Sequence, residues 1–141
     1  LNESEDSVLA GLKAIPELEN IGLCMTEGVY TTYTGATLSG PKFFPAWRLD
    51  PEHSLVQASL AGLRASGLNP SLGAYRFCTN AAYSAGQTGI PTVGFGPSTE
   101  AQAHVVDEYI ELDQLFAASK GYLGMVESLL GKDTSRRAAS R

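Results

Sequence analysis

Residues 89–110 read GIPTVGFGPSTEAQAHVVDEYI. Because Ile90–Phe95 is mainly apolar and includes β-branched side chains, it predicts a buried strand. The following pair, Gly96-Pro97, predicts a turn, and the loop beyond it places His104 just ahead of two carboxylates, Asp107 and Glu108. Open α/β sheets bind ligands beyond the carboxyl ends of their strands. His104 is therefore a candidate ligand-binding residue.

A neutral imidazole is a good zinc ligand, and its other ring nitrogen usually donates to a carboxylate or a carbonyl. Asp107 or Glu108 can supply that partner, or can accept hydrogen bonds from neighbouring backbone amides instead. A lone histidine is also often an ordinary surface or core residue. Spacing alone leaves these alternatives open.

The preceding residues predict alternating helices and strands. A helix is expected to start at Asp50-Pro51 and to end at Gly67, with Val56, Leu60 and Leu63 on its buried stripe. A strand over Leu72–Cys78, a short helix over Asn80–Gln87 and the strand Ile90–Phe95 follow. This order predicts α/β organisation. His53 lies in the first helical turn without an HExxH motif, so it is interpreted as a solvated helix end.

Both ends of the chain also have recognisable patterns. A helix is predicted over Ser4–Ile15 with Asn2 or Ser4 as its cap, followed by an extended stretch at 21–34 and a crossing loop at 35–45. A last amphipathic helix is expected over Asp113–Leu130, ended by Gly131. The basic tail at 132–141 is expected to be disordered.

Composition excludes several classes of protein. The chain has 141 residues, of which 43% are hydrophobic and 18% are charged, as is typical of a globular domain. Its net charge is −5, and the acidic body has no basic stripe, so no nucleic-acid partner is expected. The sequence predicts no membrane span and no signal peptide.

The two cysteines, Cys24 and Cys78, are far apart and form no CxxC pair. Lone cysteines suit a reducing compartment, so a cytoplasmic location is expected. Both side chains are predicted to be buried as small apolar groups.

The pattern GIP…FGP…AH…DE within residues 89–108 resembles the last metal-binding segment of the M20 family of zinc metallopeptidases and amidohydrolases. The similarity runs over roughly residues 7–130 and is greatest to the branch that includes the selenium-metabolism hydrolases. The runs Tyr33-Thr-Gly35, Phe43-Phe-Pro-Ala-Trp47 and Thr79-Asn80 stand where that branch has them. The resemblance implies an α/β fold. Residues 41–130 would be the C-terminal part of a catalytic domain, and residues 1–40 the end of a lid (dimerisation) domain.

The same resemblance implies roles for particular residues. His104 would bind one of two zinc ions, with Asp107 and Glu108 beside it. Thr79, Asn80, Gly96 and Pro97 would contact the substrate. Many family members have a glycine pair before the threonine, where this chain has Phe77-Cys78, which suggests a changed substrate. Thr79 and Asn80 can equally well cap the helix that follows them.

The activity implied by the resemblance is zinc-dependent hydrolysis of amide or peptide bonds in small peptides or N-acyl amino acids. The family's catalytic glutamate and its other zinc ligands are expected upstream of Leu1. This interpretation makes the chain the C-terminal part of a longer enzyme, inactive alone, and a homodimer when complete or associated with the missing half. Two alternatives are a subunit of a split hydrolase and a non-catalytic binding or dimerisation module derived from the fold.

Overall fold

The computed structural model describes residues 3–138, with side chains described as far as residue 131. These residues combine helices with one two-stranded sheet and fall into two compact units. The first unit takes the chain up to Trp47 together with Cys78–Ile90, and the second takes Arg48–Phe77 together with the chain from Pro91 onward. The two units are defined by contacts between residues. The domains that the family resemblance implies, residues 1–40 and 41–130, stay a prediction.

The first unit begins with helix α1, Glu5–Lys13. Ser4 is its N-cap, and Ser4 and Ser7 form a reciprocal capping box in which each side chain bonds the other residue's backbone N–H. Glu5 and Asp6 lie at the positive end of the helix dipole. The predicted helix is thus confirmed, with Ser4 as the cap. A short 3₁₀ turn, Pro16–Leu18, follows.

Strands β1, Glu27–Thr31, and β2, Thr37–Pro41, form an antiparallel hairpin. Gly35 takes a φ of 85° in the connecting turn, where Thr32 and Ala36 are joined by a backbone hydrogen bond. The prediction that residues 35–45 form a crossing loop is therefore wrong over β2. Its glycine and serine content suggested a loop, but the left-handed glycine turns the chain back onto β1, whose backbone supplies the pairing.

The first unit also contains a π-helical turn, Ala82–Gln87, which confirms a short helical segment after Asn80. The backbone of Gly86 lies against Pro45, whose carbonyl oxygen would be 2.7 Å from a Cβ atom added at Gly86. A glycine is required there because no larger residue fits without a shift of the backbone.

The second unit is built on helices α2, Ser54–Ala65, and α3, Leu112–Ala138. Their buried side chains form its core, and the three predicted α2 core residues are confirmed. The helices approach closely where Gly62 faces Gly124, since a Cβ atom on either glycine would collide with the opposite helix. The buried apolar residues of the two helices are Val56, Ala58, Leu60, Leu63, Ala118 and Met125.

The start of α2 differs from the prediction. Asp50 accepts a hydrogen bond from the Glu52 backbone N–H at 2.7 Å, which closes a local turn rather than a helix. His53 is the N-cap, because its Nδ1 accepts from the Leu55 N–H at 3.1 Å. The interpretation of His53 as a residue of the helix end is confirmed, although the residue is half-buried rather than fully solvated.

The end of α2 agrees with the prediction. Gly67 takes a φ of 80°, and the N–H groups of Gly67 and Leu68 donate to the carbonyls of Arg64 and Leu63. This pair of bonds is a Schellman motif, which satisfies carbonyls that the helix leaves unpaired.

Two predicted strands, Leu72–Cys78 and Ile90–Phe95, do not form within residues 3–138. The hairpin is the sheet found there, so the mixed helix and strand content is observed, while these two strands are not. A parallel strand needs a neighbour to pair its N–H and C=O groups. Without such a neighbour, Tyr75, Phe77 and Ile90 remain exposed.

Helix α3 continues to Ala138, so the predicted end at Gly131 is wrong, as is the predicted disorder as far as Ala138. A glycine inside a helix costs only about 1 kcal/mol relative to alanine, and no proline follows to stop the helix. Residues 139–141 of the predicted tail lie outside the described residues. Across the described part of the chain, no helix has the length and apolarity needed to cross a membrane.

Cys24 and Cys78 are both exposed and form no disulfide. The prediction that they are buried apolar groups is wrong. Cysteine is buried on average because of its small apolar side chain, but each of these lies in irregular backbone that leaves it exposed.

Candidate functional site

The segment between Phe95 and α3 forms an irregular loop in the second unit, interrupted by one 3₁₀ turn at Glu100–Gln102. Three of its non-glycine residues have left-handed backbone conformations: Ser98, His104 and Asp107, with φ values of 69°, 60° and 59°. Such conformations cost about 1–2 kcal/mol each and persist where surrounding contacts enforce them. The loop is therefore held in a specific, locally strained shape.

His104 is exposed and lies in a turn, not after a strand. Its backbone N–H donates to the Glu108 carboxylate, with 3.0 Å between the nitrogen and Oε2. The sequence left two roles open for Asp107 and Glu108, namely a partner for the imidazole or an acceptor for backbone amides. Glu108 has the second role. The bond closes the turn around residue 104. Because it involves the backbone N–H and not the imidazole, the ring is oriented by the strained backbone rather than by the Glu108 carboxylate.

Two further hydrogen bonds anchor the loop within the second unit. The Arg76 backbone N–H donates to Oε1 of Glu100 at 3.0 Å, which ties the loop to the segment after α2. The Ser98 N–H donates to Oε1 of Gln114 at 2.7 Å, which ties it to the first turn of α3. Side chains of the loop and of α3 thus replace the sheet hydrogen bonds that were expected here.

The start of the loop is fixed by an aromatic contact with α3. The rings of Phe95 and Tyr122 meet edge to face with their centroids 5.2 Å apart, and the Tyr122 hydroxyl donates to the Phe95 carbonyl. Gly121 permits this contact, because a Cβ atom there would lie 2.8 Å from the Phe95 ring. Packing against a helix therefore holds Gly96-Pro97 in place.

A cavity of about 640 Å³ opens beside this loop, lined wholly by residues of the second unit. The predicted site residues Gly96, Pro97 and Glu108 line it, whereas His104 and Asp107 are not among its lining residues. Within the turn from Gln102 to Glu108, the residues Gln102, Ala103 and Glu108 form part of the cavity wall. The structure brings together part of the predicted site.

Two aromatic residues, Tyr75 and Phe77, also line the cavity, and sequence reasoning did not assign them to a site. The rings of Tyr75 and Phe77 stack with centroids 5.2 Å apart and planes 15° from parallel. The Tyr75 ring also lies over Gly94, where an added Cβ atom would meet it. Glu100 was missed as well. The alternation Tyr-Arg-Phe was interpreted as a strand signal, which also places both rings on one face, but that face was given no role in a site.

Thr79 and Asn80 belong to the first unit. The Thr79 hydroxyl accepts from the Ala81 N–H at 3.1 Å, and the carbonyls of Thr79 and Asn80 accept from Ala82 and Tyr83. These bonds lead into the π-helical turn, whose N-cap is Ala81 without a side-chain cap hydrogen bond, so Thr79 and Asn80 are not the cap that was considered for this pair. Their role in contacting a substrate stays a prediction.

The donor set does not by itself fit a catalytic zinc site. Such a site takes three protein ligands and an open position. Among residues 3–138, no group of three or more His, Cys, Asp and Glu side chains is arranged to hold a metal ion. The exposed His104 imidazole can offer a metal ion one ligand, which is fewer than a catalytic zinc site needs.

Comparison with known proteins gives one informative similarity. The chain is 25% identical over 134 residues to the uncharacterized protein YgeY of Escherichia coli strain K12, and equally similar to YgeY of Escherichia coli O157:H7. The alignment covers 93% of this chain, and the chain spans about a third (33%) of the length of these relatives. No family model matches, and no solved structure matches.

Proposed function

We propose that this chain is part of a zinc-dependent hydrolase of amide or peptide bonds, to which it contributes His104 as one metal ligand. The observation that carries the proposal is the motif GIP…FGP…AH…DE, with its histidine exposed on an anchored loop at the edge of a cavity. An exposed imidazole on a constrained backbone is suited to bind a metal without rearrangement.

The incomplete donor set has a consequence for the proposal. In this proposal the other zinc ligands and the catalytic base come from another part of a longer polypeptide or from a second chain, because the described residues contain no group able to hold the metal. The similarity to YgeY is consistent with this, because the aligned region is a third of that protein. A bound zinc would supply Lewis-acid activation of a water or a carbonyl.

Within such an enzyme, this chain's own residues would position groups rather than transfer protons. Glu108 holds the turn that carries His104, and Gly96 and Pro97 line the cavity beside the same loop. Small peptides or N-acyl amino acids are the proposed substrate class. Contacts from Thr79 and Asn80 belong to the same proposal.

The test is a pair of variants in the complete native gene product. His104→Ala should lower zinc content and abolish hydrolysis of N-acyl amino acids. The matched control is His53→Asn, which removes the chain's other histidine but retains a residue able to cap α2. Its zinc content and activity should match the wild type. Unchanged zinc content in His104→Ala would contradict the proposal.

A second candidate, a non-catalytic binding or dimerisation module, is favoured by one observation. Large apolar side chains of the hairpin are exposed, including Val29 at 65%, Tyr30 at 63% and Leu38 at 59%. Exposed apolar patches often mark association surfaces. If this candidate is correct, His104→Ala should leave association and function intact.

A further inference from the structure

We propose that the cavity of the second unit is a binding site for a small organic cation bearing an alkylated ammonium group. The cavity is lined by two acidic residues, Glu100 and Glu108, and by three aromatic residues, Tyr75, Phe77 and Tyr109. The inference does not rest on the hydrolase proposal, because His104 is not part of the lining and binding requires no metal.

The charged side chains among the residues that line the cavity are all negative. Glu100 and Glu108 are each held through one oxygen by an uncharged backbone N–H, of Arg76 and His104 respectively. These bonds orient the carboxylates without neutralising them. Among the described residues that line the cavity, none is Lys, Arg or His. An incoming cation would therefore meet two oriented carboxylates without a competing positive side chain.

The aromatic lining favours an organic cation over a metal ion. Alkylated ammonium groups carry diffuse charge on an apolar periphery, and they bind against aromatic faces through cation–π attraction. Tyr75, Phe77 and Tyr109 are 48%, 45% and 58% exposed, so their rings are accessible. A hard metal ion would instead need several close oxygen ligands, and the described residues contain no such group.

The volume also fits a small molecule. Ligand sites typically measure roughly 300–1,000 Å³, and this cavity has about 640 Å³. Three of its lining residues, Gly96, Pro97 and Ala103, add little side-chain bulk. The cavity thus has room for an ammonium group together with a short substituent.

The proposal is tested by titrating the ¹⁵N-labelled native gene product with choline and following its amide NMR signals. The comparison ligand is 3,3-dimethylbutan-1-ol, which has the same shape with a carbon atom in place of the charged nitrogen. Choline should shift signals around residues 75–77 and 96–109 and bind about tenfold more tightly than the uncharged alcohol. Equal affinities, or choline shifts spread over the whole chain, would overturn the proposal.

Variants assign the effect to the named side chains. Glu100→Gln and Glu108→Gln should each weaken choline binding several-fold, and Phe77→Leu should weaken it as well. Glu127→Gln is the matched control, because Glu127 is an exposed carboxylate of the same unit outside the cavity lining. Choline affinity unchanged in both cavity glutamate variants would overturn the proposal. The wild-type comparison of the two ligands remains decisive if a variant fails to fold.

The two proposals fail independently. His104→Ala should leave choline binding unchanged, because Glu108 bonds the backbone N–H of residue 104 and not its imidazole. Loss of choline binding in His104→Ala, with an intact amide spectrum, would place the imidazole in the cation site and overturn the assignment made here.

Discussion

Ser98, His104 and Asp107 show how side-chain hydrogen bonds impose a backbone that these residues rarely adopt alone. All three have positive φ, and hydrogen bonds to the N–H groups of Ser98 and His104 hold two of them. Histidine and aspartate tolerate the left-handed region better than most residues, though less well than glycine. The carboxylate of Glu108 thus has a structural role independent of any metal.

The strain at residue 104 can be measured without the imidazole. His104→Gly and His104→Ala both remove the ring and differ only in the Cβ atom, which is strained at a φ of 60°. We expect the glycine variant to be more stable than the alanine variant by about 1 kcal/mol. Urea unfolding followed by circular dichroism measures the difference. A more stable alanine variant would show that residue 104 is not left-handed.

Sequence reasoning at this scale found the loop but not its geometry. The position of His104 ahead of two carboxylates was evident, and the backbone role of Glu108 was one of two alternatives considered. Tyr75, Phe77 and Glu100 were missed because their proximity depends on a loop conformation that no local pattern specifies. Positive φ at three non-glycine residues is likewise imposed by tertiary contacts rather than by propensity.

At the scale of elements, the helices followed from their capping signals and apolar spacing. Ser4 caps α1, Gly67 ends α2, and the stripe of Val56, Leu60 and Leu63 is buried. The strands were harder to predict, because a strand exists only with a partner. The apolar run at 90–95 satisfies the pattern but has no neighbour within the described residues, whereas the less apolar β2 pairs across a tight turn.

The contact of α2 with α3 depends on glycine at the crossing. We expect Gly62→Ala to destabilise the protein by about 1–3 kcal/mol, because the added methyl group would collide with the backbone of Gly124. Gly131→Ala is the matched control in α3, since no atom lies within 4 Å of its added Cβ.

The control should raise stability by up to about 1 kcal/mol through helix propensity. Both free energies of unfolding are obtained from urea titrations monitored by circular dichroism. Equal stability of Gly62→Ala and the wild type would contradict the close crossing of α2 and α3.

At the scale of the whole molecule, many apolar side chains of both units are exposed, while the fully buried core is small. On the exposed face of α3 these include Phe116 at 63%, Leu123 at 60% and Leu130 at 61%. Such surface is unusual for an isolated monomer and is expected to promote association. It agrees with the proposal that these residues operate within a larger assembly or a longer polypeptide.

The incomplete donor set predicts the behaviour of the 141-residue chain alone. We expect it to bind zinc weakly, with no more than one histidine ligand at the proposed position, and to hydrolyse no N-acyl amino acid. Equilibrium dialysis followed by elemental analysis measures the zinc. Tight stoichiometric zinc binding that survives His104→Ala would contradict the assignment of His104.

The central claim is that His104 is a zinc ligand of an amide hydrolase completed by residues beyond these 141. It is tested most directly by isolating the native gene product from its source cells. Bound zinc and hydrolysis of N-acyl amino acids are then measured in the wild type and in His104→Ala. The account predicts that the wild type contains zinc and is active, and that the variant loses zinc and activity together. A wild type without zinc, or a variant with undiminished zinc and activity, would contradict it.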